Sequence, residues 1–263
     1  MNAIEEYYGK FNEEKRFDSR HGQVEYRVTM RYIHDVLNEL KTGICDRPIR
    51  IIDIGAGTGR YAVPLSDEGY EVCAVELVKH NLSRLKVKSD KIKCYKRDAR
   101  DMHGIPDGYY DVALLLGPLY HLFSHEDKLK AIRETVRVMR PGGVIFAGYC
   151  MNEYAVVTYA LEEGHLKECI ENGRLTDDYH TLSKEEDLYD YVRTEDIDRL
   201  LTDSGLERIK IFSPDGPTNY IRKTLKKLAE EEFEKYVDYV TSIAERSDLL
   251  GAAAHTVDVM RLP

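Results

Sequence analysis

The stretch that decides the fold is Ile51-Ile52-Asp53-Ile54-Gly55-Ala56-Gly57-Thr58-Gly59. A short apolar run passes straight into three glycines at alternate positions. A run of this length, ended by glycine, reads as a strand covered on both faces. Glycine lets backbone N–H groups approach a ligand closely, and the helix beyond it offers its positive end to a negative group. That end contributes about 0.3–1 kcal/mol to such a contact.

Outward from this run the same unit repeats. Ile33, Val36, Leu37 and Leu40 follow helical spacing and predict a helix over 29–40, with its stop near Gly43. A helix over 60–68 is expected after the glycines, its first turn displaced by Pro64. Strands are expected at 71–76, 92–97, 110–116, 144–149, 206–212 and 255–262, with helices at 78–88, 124–139 and 194–204. Ser124 followed by Asp127 is a capping-box pattern, Thr194 reads as an N-cap, and Gly205 reads as a stop. Such alternation predicts an α/β fold with a doubly wound, mostly parallel, seven-stranded sheet and helices on both faces.

Three stretches fall outside the alternation. Residues 1–28 mix Tyr7, Tyr8, Phe11, Phe17 and Tyr26 with Arg16, Arg20 and Arg27, and read as a cap or arm preceding an α/β domain over 29–263. Residues 152–192 and 218–250 read as helical insertions that form a lid over the sheet's carboxyl edge.

Composition narrows the function. The chain has 263 residues, 43% of them hydrophobic, and a net charge of −9. That length suits one large domain at about 150 residues per domain with an added cap. The acidic balance argues against a nucleic-acid footprint, which is built from Lys and Arg on phosphates. No run approaches the ~20 apolar residues of a membrane span, and the charged first twenty residues lack the apolar core of a secretory signal. The five cysteines are widely spaced without a CxxC, so neither a disulfide frame nor a metal site is expected, and a reducing cytoplasm fits. Nineteen Tyr against no Trp suits a pocket for a partly polar small molecule.

The glycine spacing is GxGxG. A dinucleotide site would want a third glycine where Arg60 stands, so a nicotinamide oxidoreductase is disfavoured. Acids recur near strand ends around this turn. Glu76 ends the second strand, where a carboxylate accepts hydrogen bonds from both hydroxyls of a ribose. Asp98 ends the third and is placed to accept from an adenine amino group. Asp111 begins the fourth.

With these residues the sequence resembles the class I S-adenosylmethionine-dependent methyltransferases, in their small-molecule type. The resemblance is close over 49–149. Asp53, Gly55, Ala56, Gly57, Thr58 and Gly59 match the first motif. Glu76, with Leu77, matches the ribose-binding acid, and Asp98-Ala99 matches the adenine motif. Leu116-Gly117-Pro118-Leu119 matches the segment after strand four, and Arg140-Pro141-Gly142-Gly143 the turn before strand five. The resemblance implies a Rossmann-like sheet whose last strand runs antiparallel between the two before it. It implies S-adenosylmethionine as cofactor, with S-adenosylhomocysteine as product, and an N-terminal arm that covers the methionine end through Tyr8, Arg16 and Arg20.

The expected chemistry is in-line attack of an acceptor on the sulfonium methyl group. Alignment is the protein's main contribution, worth up to roughly 7–11 kcal/mol. After strand four the chain reads Gly117-Pro118-Leu119-Tyr120, not the Asn/Asp-Pro-Pro-aromatic signature of base-amino methylation, and no Pro-Cys pair serves cytosine chemistry. Tyr120 and His121 lie beyond that strand's carboxyl end, where ligands bind in open α/β sheets. His121 is the candidate base, since imidazole titrates near neutrality, and Tyr120 is expected beside the methyl donor. The expectation is methyl transfer to a small molecule. An RNA or protein methyltransferase and a non-catalytic cofactor-binding regulator are the alternatives.

Overall fold

The structure is a computed structural model in which Tyr7, residues 19–44 and residues 47–263 are described. Its strands are β1 (Arg50–Ile54), β2 (Glu71–Val75), β3 (Lys93–Tyr95), β4 (Tyr110–Leu115), β5 (Met139–Met151), β6 (Tyr191–Val192), β7 (Glu207–Phe212) and β8 (His255–Arg261). They lie in one sheet in the order β3-β2-β1-β4-β5-β8-β7, with β6 paired to the end of β5. β1 to β5 are parallel, and β8 runs antiparallel between β5 and β7 as the resemblance implies.

Strand alternation divides the core. Ile51, Val112, Leu114, Phe146 and Val259 share one face, and Ile52, Ile54, Ala113, Ile145 and Met260 share the other. The helices are α1 (Arg20–Lys41), α2 (Ala62–Asp67), α3 (Lys79–Lys88), α4 (His125–Val138), α5 (Asn152–Ala155), α6 (Leu166–Glu171), α7 (Thr194–Ser204), α8 (Arg222–Leu225) and α9 (Glu230–Ile243). Val28 and Ile33 of α1 and Phe233 and Val240 of α9 cover the first face. Leu129 and Ile132 of α4 and Ile197 and Leu200 of α7 cover the second. Each side chain buried this way contributes about 1.5–3 kcal/mol.

The structure corrects several expectations. The first helix starts at Arg20, with Ser19 Oγ accepting from the Gly22 N–H, and Val24 and Val28 are fully buried. A boundary at residue 28 therefore falls inside a core helix. The aromatic and basic residues around it disguised a buried face that needs only Val24, Val28 and their neighbours. Residues 218–250 are no lid: α9 packs on α1 through apolar contacts, flanked by the Arg20–Glu230 and Arg27–Glu234 ion pairs. A two-residue strand, β6, stands where 152–192 was read as strandless, and makes the sheet eight-stranded. Arg193, not Thr194, is the N-cap of α7; Asp196 reaches back to its N–H at 2.8 Å. Gly205 ends that helix in a left-handed conformation, as expected.

Arg60 acquires a role at the place where a dinucleotide fold has glycine. Its Nη2 donates to the Gly22 carbonyl at 2.6 Å, and its guanidinium stacks on Tyr26 at 4.5 Å. The residue fastens α1 to the glycine turn.

Asp111 belongs to the opposite edge from the glycines. Arg47 donates to it twice at 2.7 Å, and the Arg50 N–H donates at 2.9 Å. The acid is buried and structural. Removing one partner of a buried pair costs about 3–5 kcal/mol. Asp111→Ala is therefore expected to lower the unfolding free energy by roughly 3 kcal/mol in urea titration, with Asp111→Asn less severe. A loss near zero would show that the pair contributes nothing.

Candidate active site

A cavity of about 590 Å³ opens at the carboxyl ends of β1, β2 and β4. Gly55, Gly57, Glu76, Leu77, Asp98, Ala99, Tyr120 and His121 all line it. Residues from one strand end to the next thus converge as the sequence suggested.

The glycine turn is shaped by backbone. Gly55 holds φ +77°, and a Cβ there would lie 2.7 Å from Pro118 Cδ. No other residue type fits, because the turns after β1 and β4 touch at this point. Gly57 turns its N–H onto Glu76 Oε2 at 2.8 Å, and the Val78 N–H reaches Oε1 at 2.6 Å. Two backbone donors hold the carboxylate in place.

Asp98 is more heavily engaged. Arg100 donates to Oδ1 from its backbone N–H at 2.8 Å and from Nε at 3.0 Å, and to Oδ2 from Nη2 at 2.8 Å. The Arg100 side chain holds the Asp98 carboxyl below its usual range against the opposing effect of burial. Arg100 Nη1 continues to Asp127 at 3.0 Å. Three of about four acceptor positions on Asp98 are filled, and the remaining one is on Oδ2. Arg100, Asp127 and Asn81 line the cavity and were missed by sequence reasoning. The Asp98-x-Arg100 spacing was the available signal.

Asp53 lies beneath the turn and does not line the cavity. It is 3% exposed, and its Oδ2 has no hydrogen-bond partner among the described residues. Burial pushes its pKa up to about 7, the Ala62 N–H pulls it down, and the Glu76 charge adds to the rise. Ala56 and Thr58 are buried in the turn, and Thr58 takes Lys88 Nζ on its carbonyl at 3.0 Å. Ala56, Thr58, Gly59 and Leu116 shape the site without lining the cavity. Arg20 does not line it either; it donates to Glu230 at 3.0 Å and stacks on Phe233 at 4.5 Å. Tyr8 and Arg16 lie outside the described residues.

The first insertion does reach the cavity, through Ser183, Lys184 and Glu185. Its following segment is strapped down. Lys128, only 4% exposed, donates from Nζ to Asp190 Oδ2 and to the Leu122 carbonyl, both at 2.5 Å. The Asp190 N–H donates to the Tyr120 carbonyl at 2.8 Å. His121 Nδ1 lies 2.7 Å from the Leu188 carbonyl. A carbonyl only accepts, so Nδ1 carries a proton. Burial lowers the His121 pKa to about 4, partly opposed by that hydrogen bond. The ring is neutral at pH 7 and a weak base, since proton transfer is best served by a pKa near the working pH. A second cavity of about 420 Å³ lies across the strap, lined by Tyr159, Tyr189 and Tyr191 and sharing Ser183. No cluster of metal-ligating side chains occurs among the described residues.

Comparison with known proteins agrees with this geometry. The chain has the fold of the class I S-adenosylmethionine-dependent methyltransferases. Residues 52–147 match the family model described as a methyltransferase domain. The chain is 31% identical over 101 residues to the S-adenosyl-L-methionine-dependent Diels-Alderase iccD of Talaromyces variabilis, covering 36% of this chain and 34% of that protein. It is 26% identical over 124 residues to the ubiquinone biosynthesis O-methyltransferase of Rickettsia typhi, covering 45% and 48%. It therefore spans between about a third and a half of these curated relatives' lengths. A solved SAM-dependent methyltransferase of Thermotoga maritima, described as a possible histamine N-methyltransferase, superposes over 99% of both chains with a TM-score of 0.59 at 17% identity. The residues present fit such a cofactor: Asp53 keeps a buried oxygen unpartnered, Glu76 presents a carboxylate at the cavity wall, and Asp98 keeps one acceptor position on Oδ2.

Two measurements follow. Glu76→Ala should weaken S-adenosylmethionine binding by about 10- to 150-fold, the equivalent of losing a charged hydrogen-bond partner. Calorimetry on a folded variant with unchanged affinity would exclude Glu76 from the site. Asp53 gives a pH signature. Its folded pKa is raised, so the unfolded chain releases this proton first as pH rises. Wild-type stability should fall relative to Asp53→Asn between about pH 4 and pH 7, by roughly a few kcal/mol, and run parallel to it above that. Urea unfolding at several pH values checks this; a difference that stays constant with pH would refute it.

Proposed function

We propose that the protein transfers a methyl group from S-adenosylmethionine to a small-molecule acceptor. The observation that carries this reading is the Glu76 carboxylate, fixed by the Gly57 and Val78 N–H groups at the wall of a cavity that Asp98 and the glycine turn also line. A rigid carboxylate at the end of β2 suits a vicinal diol, and Asp98 Oδ2 on the next strand suits an exocyclic amine. When bound, the cofactor supplies an electrophilic methyl group already activated on sulfur. The chain's own work is to bind, orient and exclude water. Asp53 Oδ2 is suited to a cationic group, whose charge would offset the cost of burying the acid. Leu77 and Ala99 supply apolar surface beside the diol and amine sites.

The acceptor is best sought on the side of β4 and β5. Tyr120 and His121 stand there, and the 183–190 strap closes over them. The Tyr120 ring packs against His121 at 4.8 Å and Tyr189 at 5.7 Å, forming an aromatic wall. Such a wall selects a compact, partly apolar acceptor. The net charge of −9 points the same way, since it gives nucleic acid little to bind. His121, neutral and tied through Nδ1 to the Leu188 carbonyl, is suited to orienting an acceptor rather than to carrying charge.

A second reading keeps the cofactor and drops the transfer. The relative from Talaromyces variabilis is named for a Diels-Alder reaction, not for methylation. Binding and turnover therefore need separate measurement. Calorimetric titration with S-adenosylmethionine, S-adenosylhomocysteine and NAD is expected to show micromolar binding of the first two and none of the third. Binding of NAD alone, or of none, would overturn the proposal. Given binding, release of S-adenosylhomocysteine with a panel of phenols, amines and thiols separates an enzyme from a cofactor-holding scaffold.

A further inference from the structure

The second cavity, of about 420 Å³, is lined entirely by residues of the 152–192 insertion. An apolar cavity of about 150 Å³ already admits a benzene ring, so this one has room for a larger body. Its lining is chiefly apolar and aromatic, with Tyr159, Ala160, Leu175, Leu182, Leu188 and Tyr191. Three fastenings give it shape. Val156–Glu162 is a π-helix, and the Glu163 N–H reaches back to the Thr158 carbonyl at 3.0 Å. Such runs are rare and occur most often at functional sites, and Tyr159 and Ala160 of this one line the cavity. A hairpin that pairs Leu175 with Thr181 forms another wall. Fully buried Asn152 accepts from the Thr181 N–H at 2.8 Å and donates to the carbonyl of Tyr179 at 3.1 Å, where the hairpin turns through φ +64°. Arg174 donates twice to Asp187 at 2.9 Å and ties the hairpin to the strap.

Charge decides what can enter. Arg174 is the cation of the lining, and Asp187 matches it. Glu168 adds an acid. An anionic group would therefore meet no unmatched cation in this lining. The mouth is apolar as well: Tyr159 is 50% exposed and Leu182 46%. Apolar side chains exposed together beside a cavity mark a place where apolar surface is received.

One ring separates this cavity from the methyl-transfer site. Tyr189 lines the second cavity, and its ring packs 6.5 Å from that of Tyr191. It also packs 5.7 Å from Tyr120 and 5.3 Å from His121, which line the first. The Leu188 carbonyl that holds His121 belongs to the same partition. Ser183, a small residue, lines both cavities, so the two meet there.

We propose that the second cavity binds an uncharged apolar extension of the acceptor, whose compact reacting end lies beside Tyr120 and His121. This rests on the methyl-transfer reading and narrows its substrate class to amphiphiles with an alkyl or aromatic body. The extension passes the strap at Ser183. Its burial supplies affinity and selects for length, while the reacting atom is positioned in the first cavity.

The probes are phenol and its para-propyl, para-pentyl and para-heptyl derivatives, titrated calorimetrically into the full chain saturated with S-adenosylhomocysteine. Affinity should rise about three- to fourfold per methylene until the cavity is full, the equivalent of burying each one. Ending the heptyl chain in a carboxylate should remove most of that gain. Ala160→Phe fills the cavity and Leu182→Asp charges its mouth, so both should flatten the series while S-adenosylhomocysteine affinity stays unchanged. Leu182 is exposed, so its variant judges the proposal even where Ala160→Phe does not fold. Bound para-heptylphenol should also slow iodoacetamide alkylation of Cys169, which lines the cavity, and not that of Cys94. Affinity independent of chain length would overturn the proposal, as would a series that both variants leave intact or a Cys169 that is not protected. Self-association of the chain that Leu182→Asp abolishes and the probes do not compete with would mark the rim as a contact between copies, and would overturn it too. Failure to bind S-adenosylhomocysteine would instead count against the methyl-transfer reading, and the series measured without it would still judge the cavity.

Discussion

Two backbone N–H groups from two different turns converge on one carboxylate, that of Glu76. Gly57 belongs to the turn after β1 and Val78 to the turn after β2, and each gives its hydrogen to one oxygen. Neither bond forms unless both turns hold their conformation. The glycine at 55 is required because Pro118 of the β4 turn occupies the space a side chain would need. Three strand ends are therefore locked by contacts that no single strand makes alone. Arg60 adds the fourth partner by fastening α1 to the same turn. A site assembled this way is rigid before any ligand arrives, so binding does not have to order it.

Four acids at strand ends illustrate how environment, not residue type, assigns a role. Asp111 receives a bidentate guanidinium and a backbone N–H, and its work is structural. Asp98 spends most of its acceptor capacity on Arg100, which leaves one oxygen position toward the cavity. Glu76 takes one backbone N–H on each oxygen and lines the cavity. Asp53 is the extreme case: buried, one oxygen unpartnered, and raised to a pKa of about 7. It sits below Glu76, and each disfavours the other's charge. A cation at the turn would relieve both. This is the electrostatic sense in which the empty turn is incomplete.

The alternation of strands and helices was legible because buried parallel strands read as short apolar runs, and seven of them were placed within a few residues. The glycine turn, Glu76, Asp98 and His121 were legible because their spacing puts them at consecutive strand ends. What escaped was set by side chains that meet only in three dimensions. Arg20 to Arg27 looked like a polar arm because α1 buries a narrow stripe, Val24 and Val28, under a charged exterior. Residues 218–250 looked like a lid because an amphipathic helix does not announce which surface it covers. Arg100 was not singled out: its grip on Asp98 is local, but its reach to Asp127 depends on α4 arriving alongside. His255 was one residue of a last strand; its partner Asp215 lies forty positions earlier, and nothing local links them.

The sheet's order explains why two histidines at its carboxyl edge are so differently placed. The chain runs outward from β1 to β3, then crosses back to lay β4 beside β1 and builds outward to β7, and the cavity opens where the two halves part. The half with β2 and β3 supplies acids, suited to hydroxyl and amino groups of a nucleoside. The other half supplies aromatic and basic groups. His121 stands at the seam, dry and hydrogen-bonded through Nδ1 to the strap, which suits it to orientation and unsuits it to carrying charge. His255 stands further out, against a buried carboxylate that favours its charged form. Of the two rings, the neutral one lines the cavity, whereas His255, whose charged form Asp215 favours, lines neither cavity.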